Sequence, residues 1–203
     1  MHVSFEKSER TKRKIIETVA PIFNKKGYQG TALSDITSAV GLTKGAIYGN
    51  FGSKEALAEA CFDYNVKFLQ KGLYMAWITS THSLGKLQNL INFYKNNYEA
   101  VAQNGGCPLM NAATEADDRF PNFRQKAESI ILNWQKEIAA VIKEGQDNGE
   151  INAQIEPKAF ANTFIALIEG GILIAKTTQD ANQFYIIIDN LKGLVDSQLK
   201  IKP

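Results

Sequence analysis

The sequence predicts an all-α protein of about nine helices, in which a three-helix N-terminal domain with a helix-turn-helix precedes a larger helical C-terminal domain. Two observations lead to this prediction. Apolar residues recur at helical spacing along most of the 203-residue chain, and a pattern of two short helices around a turn lies between residues 31 and 54. Residues 185–188 are strand-like in composition, but we expect them to belong to a helix that continues to Leu199.

Residues 31–54, TALSDITSAVGLTKGAIYGNFGSK, are interpreted as two short helices joined by a tight turn. The apolar residues of each helix share one face, Leu33, Ile36 and Val40 in the first and Ile47 and Phe51 in the second. Gly41 suits the left-handed C-cap of the first helix, and Thr43 suits the N-cap of the second. The second helix of such a motif enters the major groove of DNA, so this segment predicts a DNA-binding protein.

Positive charge is concentrated in the same part of the chain. Residues 1–54 hold nine Lys and Arg against four Asp and Glu, whereas the rest of the chain holds fourteen against seventeen. A basic run such as residues 12–14 is, taken alone, a common solvated surface. Combined with the helix-turn-helix pattern, the charge is typical of a surface that binds nucleic acid.

Caps and helix breakers set the expected bounds of the later helices. Starts are expected near Ser53, Pro108, Pro121, Pro157 and Gln183, and ends near Trp77, Gly105 and Gly149. The longest apolar stretch, residues 160–175, is interrupted by polar side chains and is predicted to be a buried helix rather than a membrane span. The N-terminus has no apolar signal region, so we expect a cytoplasmic protein.

The first third of the chain closely resembles the TetR/AcrR family of bacterial transcriptional regulators. The positions that carry the resemblance are Ile15, Ile16, Phe23, Gly27, Tyr28, Thr31, Asp35, Ile36, residues 41–45, Ile47, Tyr48, Phe51 and residues 53–57. Thr37 and Gly49 depart from the family pattern, which usually has Ala and an aromatic residue there.

The resemblance implies a helix-turn-helix DNA-binding domain in residues 1–54 and an effector-binding and dimerisation domain in residues 55–203. It also implies a homodimer that binds a palindromic double-stranded DNA operator as a repressor and is released by an unknown small-molecule effector. The last two helices have wide apolar faces, which include Leu191 in the second of them, and these faces fit such a dimer. A two-fold dimer matches a palindromic site.

Candidate DNA-contacting residues come from the outward side of the second helix and from the resemblance. With Ile47 inward, Gly45 and Gly49 point outward, flanked by Ala46 and Tyr48. Small outward residues let the backbone approach base edges but leave few side chains for bidentate base contacts. Tyr48 also has an alternative role as a core aromatic. The full candidate set is Thr31, Ser34, Thr43, Lys44, Gly45, Ala46, Tyr48, Asn50 and Lys54.

Candidate effector-binding residues lie among the middle helices, where the resemblance places the cavity. The set combines aromatic, polar and acidic side chains: Tyr94, Tyr98, Cys107, Met110, Asn111, Glu115, Trp134, Phe164 and Glu169. Aromatic residues at helical spacing mostly pack in a core, and each has that alternative role. Glu115 and Glu169 are the stronger candidates, because a carboxylate on an apolar helix face needs a partner or a ligand.

Cys107 supports an alternative mechanism. It stands just before a predicted helix N-terminus, a position that favours thiolate, and Lys176 is a candidate to approach it. The segment from Gly106 to Glu115 resembles a subgroup of the family that includes electrophile- and oxidant-responsive repressors. In the other interpretation Cys107 is a small packing residue and the effector binds without a covalent bond.

The sequence argues against an enzyme, since it contains no Gly-rich phosphate loop, nucleophile elbow or His–carboxylate pair. We expect no cofactor and no metal site, because the two histidines, His2 and His82, lie far apart in sequence. Cys61 and Cys107 are not expected to form a disulfide in a reducing cytosol. A remaining class is a helical ligand-binding protein that does not bind DNA, against which Lys44 and Lys54 argue.

Overall fold

A computed structural model describes residues 2–116 and 121–201, and these residues form nine α-helices. They are α1 (His2–Lys26), α2 (Leu33–Val40), α3 (Lys44–Phe51), α4 (Lys54–Trp77), α5 (Ser83–Gln103), α6 (Pro108–Glu115), α7 (Pro121–Asp147), α8 (Pro157–Thr178) and α9 (Ala181–Leu194), followed by a π-helical turn, Val195–Leu199. The described residues contain one isolated β-bridge, between Ile151 and Lys200. The predicted all-α fold is therefore confirmed.

The helix ends follow the caps and breakers of the sequence. Three prolines begin α6, α7 and α8, as predicted. Helix α9 begins at Ala181, two residues before the expected Gln183. The reason is that the Asp180 carboxylate accepts a hydrogen bond of 3.0 Å from the Asn182 backbone N–H and caps the helix there.

The chain divides into two compact units. One comprises residues 1–69 with residues 108–124, and the other comprises residues 70–107 with residues 125–203. Helices α4 and α7 each contribute residues to both units, whereas α6 belongs to the first.

The first unit has its own hydrophobic core, formed by α1, α2, α3 and the first part of α4. Its buried members are Ile15, Val19, Ala20, Phe23, Ile36, Ile47, Leu57, Ala58 and Cys61. Burying one large aliphatic side chain contributes roughly 1.5–3 kcal/mol, so this core holds α2 and α3 in place. Leu57, Ala58 and Cys61 follow residue 54, which is why the compact unit extends beyond the expected domain boundary.

The second unit is centred on the packing of α8 against α9. Phe164, Phe184 and Leu191 are fully buried there. Gly171 permits the close approach of the two helices, because a Cβ at this position would lie 3.1 Å from a ring carbon of Phe184 and 3.3 Å from a methyl carbon of Ile187.

Among the described residues, α8 is long and apolar enough to cross a membrane, judged by length and composition alone. The buried helix of a soluble protein meets the same criteria. Within the second unit α8 buries Phe160, Ala161, Phe164, Ile168, Gly171, Ile172 and Ala175. We therefore interpret it as a core helix.

Candidate functional site

The helix-turn-helix has the caps that the sequence predicts. Gly41 adopts the left-handed conformation at φ 67°, and its backbone N–H donates to the Thr37 carbonyl at 2.9 Å. The Thr43 hydroxyl accepts a hydrogen bond of 3.2 Å from the Ala46 backbone N–H and so begins α3. Ile47 is fully buried in the core of the first unit, which fixes the side of α3 that faces outward.

The outward side of α2 and α3 is small, polar and basic. Its exposed residues are Ser34, Thr43, Lys44, Gly45 and Gly49, and its half-buried residues are Ala46, Tyr48 and Asn50. The Lys44 ammonium lies 5.6 Å from the centre of the Tyr48 ring, so the two side chains lie side by side on this surface. Tyr48 is partly exposed, whereas Ile47, which precedes it, is fully buried.

Two candidate residues have polar groups that are engaged within the unit. Thr31 is fully buried, and its hydroxyl donates to the Gly27 carbonyl at 2.7 Å. This hydroxyl therefore caps the end of α1 rather than standing on the surface. The Asn50 side-chain amide donates to the Ala46 carbonyl at 2.8 Å, inside α3.

Lys54 begins α4 beside a helix N-terminus. The Ser53 hydroxyl caps that terminus by accepting from the Ala56 backbone N–H at 3.1 Å, as predicted. The Lys54 ammonium lies 4.9 Å from the centre of the Tyr28 ring, a cation–π arrangement that holds the side chain. The helix dipole and the Lys54 ammonium thus lie at one place on the first unit, and both favour a phosphate.

Three residues expected at the effector site, Met110, Asn111 and Glu115, lie on α6 in the first unit. The Glu115 carboxylate accepts the backbone N–H groups of Tyr28 and Gln29 at 2.6 and 2.7 Å. The Asn111 amide donates to the Asn24 carbonyl at 3.1 Å. Both polar side chains therefore join α6 to the end of α1, and the cavity beside them, about 50 Å³, is far smaller than a site for a drug-sized molecule.

A larger cavity of about 560 Å³ lies in the second unit, among α4, α5, α7 and α8. Its size is that of sites that enclose a drug-sized ligand. Five aromatic side chains line it: Tyr74, Trp77, Tyr94, Trp134 and Phe164. Four charged side chains of the described chain also line it: Lys86, Glu137, Glu144 and Glu169.

Sequence reasoning found part of this lining. Tyr94, Trp134, Phe164 and Glu169 were expected, and the structure brings them together here. The sequence did not identify five other charged and aromatic lining residues: Tyr74, Trp77, Lys86, Glu137 and Glu144. Helical spacing shows which residues share a face but not which face borders a cavity. In the sequence Lys86 and Glu144 have the pattern of ordinary solvated charges on a helix, which gives no signal of a cavity.

Glu169 is the distinctive group of the cavity. Burial raises the pKa of its carboxyl to about 6, although a hydrogen bond with the Cys107 thiol opposes the shift. Its Oε2 atom is buried and has no hydrogen-bond partner among the described residues. Burial, and next the nearby Glu169 carboxylate, hold the pKa of the Tyr94 hydroxyl well above its usual range. A cavity-lining side chain thus holds a buried acceptor without a hydrogen-bond partner in the described part of the chain.

The other expected residues of this unit lie outside the cavity lining. The Tyr98 ring stacks on Phe184 with centroids 4.2 Å apart, in the core. Cys107 is only 1% exposed and stands immediately before the first residue of α6, Pro108, as predicted. The Lys176 ammonium donates to the Gly105 carbonyl at 2.8 Å, so it reaches the loop that carries Cys107.

Two parts of this chain match known protein families. Residues 15–61 match "Bacterial regulatory proteins, tetR family", and residues 83–189 match "Tetracyclin repressor-like, C-terminal domain". The first range contains the helix-turn-helix, and the second contains most of the cavity lining.

Similar proteins cover nearly the whole chain. An uncharacterised HTH-type transcriptional regulator in the lacX 3' region of Lactococcus lactis subsp. lactis is 32% identical over 183 residues, which is 90% of this chain and 91% of that protein. The HTH-type transcriptional repressor DhaR of Mycobacterium sp. (strain GP1) is 28% identical over 86% of this chain and 88% of its own. The crystal structure of a TetR family transcriptional regulator from Cytophaga hutchinsonii has a TM-score of 0.89 and 38% identity, covering 97% of this chain and 98% of that one.

Proposed function

This chain belongs to the TetR family of bacterial helix-turn-helix transcriptional regulators, and we propose that it is a homodimeric repressor released from its operator by a small molecule in the second-unit cavity. The similar protein from Mycobacterium is named a repressor, which supports repression rather than activation. A regulator of this kind acts in the cytoplasm, where its DNA is. We assign operator binding to the first unit and effector binding and dimerisation to the second.

One observation carries the DNA-binding part of the proposal. Helix α3 is capped by Thr43 and anchored by the buried Ile47, while its opposite side is exposed and free of large apolar residues. A helix held in this way presents its N-terminal residues to base edges in the major groove. Its two outward glycines leave the backbone accessible to the groove floor.

The proposed contacts divide into two groups. Gly45 and Ala46 face the bases, where the Ala46 methyl group suits a thymine methyl. Phosphate contacts come from the neighbouring polar and basic side chains, Ser34, Thr43, Lys44, Tyr48 and Lys54. Thr31 and Asn50 are weaker members of the set, because their side-chain donors bond to carbonyls within the unit.

Selection of bound fragments from the source genome, followed by footprinting, tests this function directly. We expect a protected palindrome whose half-sites are separated by about one helical turn of DNA or a multiple of it. The matched control is Ala46→Glu, which places a carboxylate beside phosphates and should abolish specific binding. Absence of sequence-specific binding by the wild-type protein at low salt, where phosphate contacts are strongest, would refute the proposal.

For the dimer we propose an interface on the outer sides of α8 and α9. Three large apolar side chains on the packed helices α8 and α9 are exposed, Leu173 at 51%, Ile174 at 43% and Ile186 at 57%, and we propose that they form one cluster. A Cβ at Gly170 or Gly193 would meet no described atom within 4 Å, so the backbone of both helices is open to a partner there. Dimers are typical of the family, and an isologous interface would cover this cluster.

A thiol-based sensor remains the alternative effector mechanism. It is supported by the place of Cys107 directly before α6, in a Gly-Cys-Pro segment, and by the hydrogen bond from Lys176 to Gly105 in the same loop. The burial of Cys107 and its hydrogen bond with Glu169 favour a packing role instead. We therefore retain non-covalent effector binding as the main proposal.

A further inference from the structure

We infer that the effector is an apolar or aromatic molecule carrying one protonated amine, whose N–H group binds Glu169 Oε2 inside the second-unit cavity. This inference rests on the proposed function of the cavity as the effector site and names the chemical class that it accepts. It is carried by the charge balance of the lining, by the open acceptor on Glu169 and by the aromatic walls.

Among the charged groups of the cavity lining that the structure describes, Glu169 is the one with a buried carboxylate oxygen that lacks a hydrogen-bond partner, whereas Glu137 and Glu144 are exposed. Lys86 donates to Glu144 at 3.1 Å, so the cation of the lining is paired. Glu137 accepts a hydrogen bond of 2.9 Å from the Asn133 amide on the same helix. Glu169 has the Cys107 thiol as a partner, but within the described part of the chain nothing bonds to its Oε2 atom.

An open carboxylate oxygen in apolar surroundings is costly for the ligand-free protein. A buried acceptor without a partner loses its hydration and gains no hydrogen bond in return. This costs roughly 1–3 kcal/mol of stability, and more for a charged group. An ammonium group supplies both a donor and the opposite charge, whereas a neutral alcohol supplies only a donor. A carboxylate ligand would add a third unpaired negative charge to a lining that holds three glutamates and one lysine.

The walls suit the rest of such a molecule. Five aromatic rings line the cavity, and ring faces attract cations as well as apolar groups. The volume of about 560 Å³ accommodates several fused or linked rings. A lipophilic amine therefore matches the charge, the acceptor and the shape of this site.

The two tryptophans of the chain, Trp77 and Trp134, both line the cavity, so their fluorescence reports on its contents. We would titrate the purified full-length protein with three probes of one shape: pyrenylmethylamine, pyrenylmethanol and pyrenecarboxylate. Energy transfer from tryptophan to pyrene measures binding. We expect the amine to bind at least tenfold more tightly than the alcohol, and the carboxylate to bind most weakly.

Two variants test whether Glu169 is responsible for the preference for the amine. Glu169→Gln keeps the size of the side chain and should lower the affinity for the amine about tenfold while changing that for the alcohol less than twofold. Glu137→Gln is the matched control, because its carboxylate already has the Asn133 amide as a partner, and it should change amine affinity less than Glu169→Gln does. If Glu169→Gln does not fold, the comparison of the three probes on the wild-type protein decides alone.

Equal affinity for the amine and the alcohol, tighter binding of the carboxylate, or no amine binding up to its solubility limit would overturn the inference. So would equal losses in the two variants. These results are separate from the test of the proposed function, because the titration contains no DNA. Failure of the wild-type protein to bind any operator would refute the repressor proposal and leave the amine preference as measured.

Discussion

Glu115 and Tyr28, 87 positions apart in sequence, are joined by a hydrogen bond of 2.6 Å from the Tyr28 backbone N–H to the Glu115 carboxylate. The same carboxylate accepts the Gln29 N–H at 2.7 Å. Gly27 completes the arrangement, because at its φ of +79° a Cβ would lie 2.8 Å from a carboxylate oxygen. The turn that leads from α1 into the helix-turn-helix is thus built around an acidic side chain of α6.

Glu115→Ala is therefore expected to destabilise the protein by about 1–3 kcal/mol, since it removes a charged acceptor from two backbone donors. Chemical denaturation followed by circular dichroism measures the loss. Glu99→Ala, which removes an exposed carboxylate from α5, is the control and should stay within about 0.5 kcal/mol of the wild type. Equal stability of the two variants would mean that the carboxylate contributes nothing to the turn.

The same residue shows where sequence reasoning succeeds and where it stops. The polar character of Glu115 on an apolar helix indicated correctly that it needs a partner, but the sequence did not show whether that partner is a ligand or a distant backbone. In the helix-turn-helix the determinants are local, as with Gly41 and Thr43, and the predicted caps are confirmed. The cavity depends on which sides of four helices converge, and local spacing does not contain that information.

Leu191 is a second residue whose position the sequence predicts only in part. Helical spacing placed it on a wide apolar face of the last helix, for which the resemblance implied a dimer interface. The structure shows it fully buried within its own chain, while Ile186 on the same helix is 57% exposed. The apolar face that the sequence predicts for α9 thus contains a buried part, with Leu191, and an exposed part, with Ile186. Only the packing of α8 against α9 shows which residues belong to each part.

Lys54→Ala should weaken DNA binding about equally for operator and unrelated DNA, and lower the slope of log affinity against log salt by about one unit. The physical reason is that one phosphate contact, and one released counterion, is lost. Titrations at several salt concentrations by fluorescence anisotropy measure the slope. Lys67→Ala is the control: it removes the same charge from an exposed position on α4, about 20 Å further along the helix. An unchanged slope for Lys54→Ala would exclude its phosphate contact.

Ile186→Glu should convert the homodimer to monomers, because it places a charge in the proposed interface without disturbing the buried core. Sedimentation equilibrium at micromolar concentration measures the mass. Leu132→Glu on α7, at a comparably exposed apolar residue outside α8 and α9, should leave the dimer intact. A wild-type monomer, or dissociation by Leu132→Glu alone, would contradict the proposed interface.

Binding of a protonated amine should depend on pH through Glu169. Because burial raises the pKa of this carboxyl to about 6, it is neutral at pH 5 and ionised at pH 7. The ammonium group prefers the ionised form, so affinity should rise about tenfold from pH 5 to pH 7 and level off above that. Tryptophan fluorescence titrations with pyrenylmethylamine at several pH values measure the change.

Other titratable groups border the same cavity: Lys86, Tyr94, Glu137 and Glu144, with Cys107 bonded to Glu169. The Glu169→Gln variant separates their contribution, because it cannot ionise at this position. Its amine affinity should vary less than twofold over the same range. A full tenfold dependence in Glu169→Gln would assign the titration to one of the other groups.

Cys61 and Cys107 should both react slowly with N-ethylmaleimide in the folded protein. Both are buried, and burial raises the pKa of the Cys61 thiol to about 12, so little thiolate forms. The Cys107 thiol is engaged with Glu169 and has 1% exposure, which keeps the reagent from the sulfur. Mass spectrometry over time should show modification of both only as fast as local opening permits, and much faster in denaturant. Rapid modification of Cys107 with loss of operator binding, absent in Cys107→Ser, would instead favour the thiol-sensing mechanism, because a buried packing cysteine has no means of reacting before the protein opens.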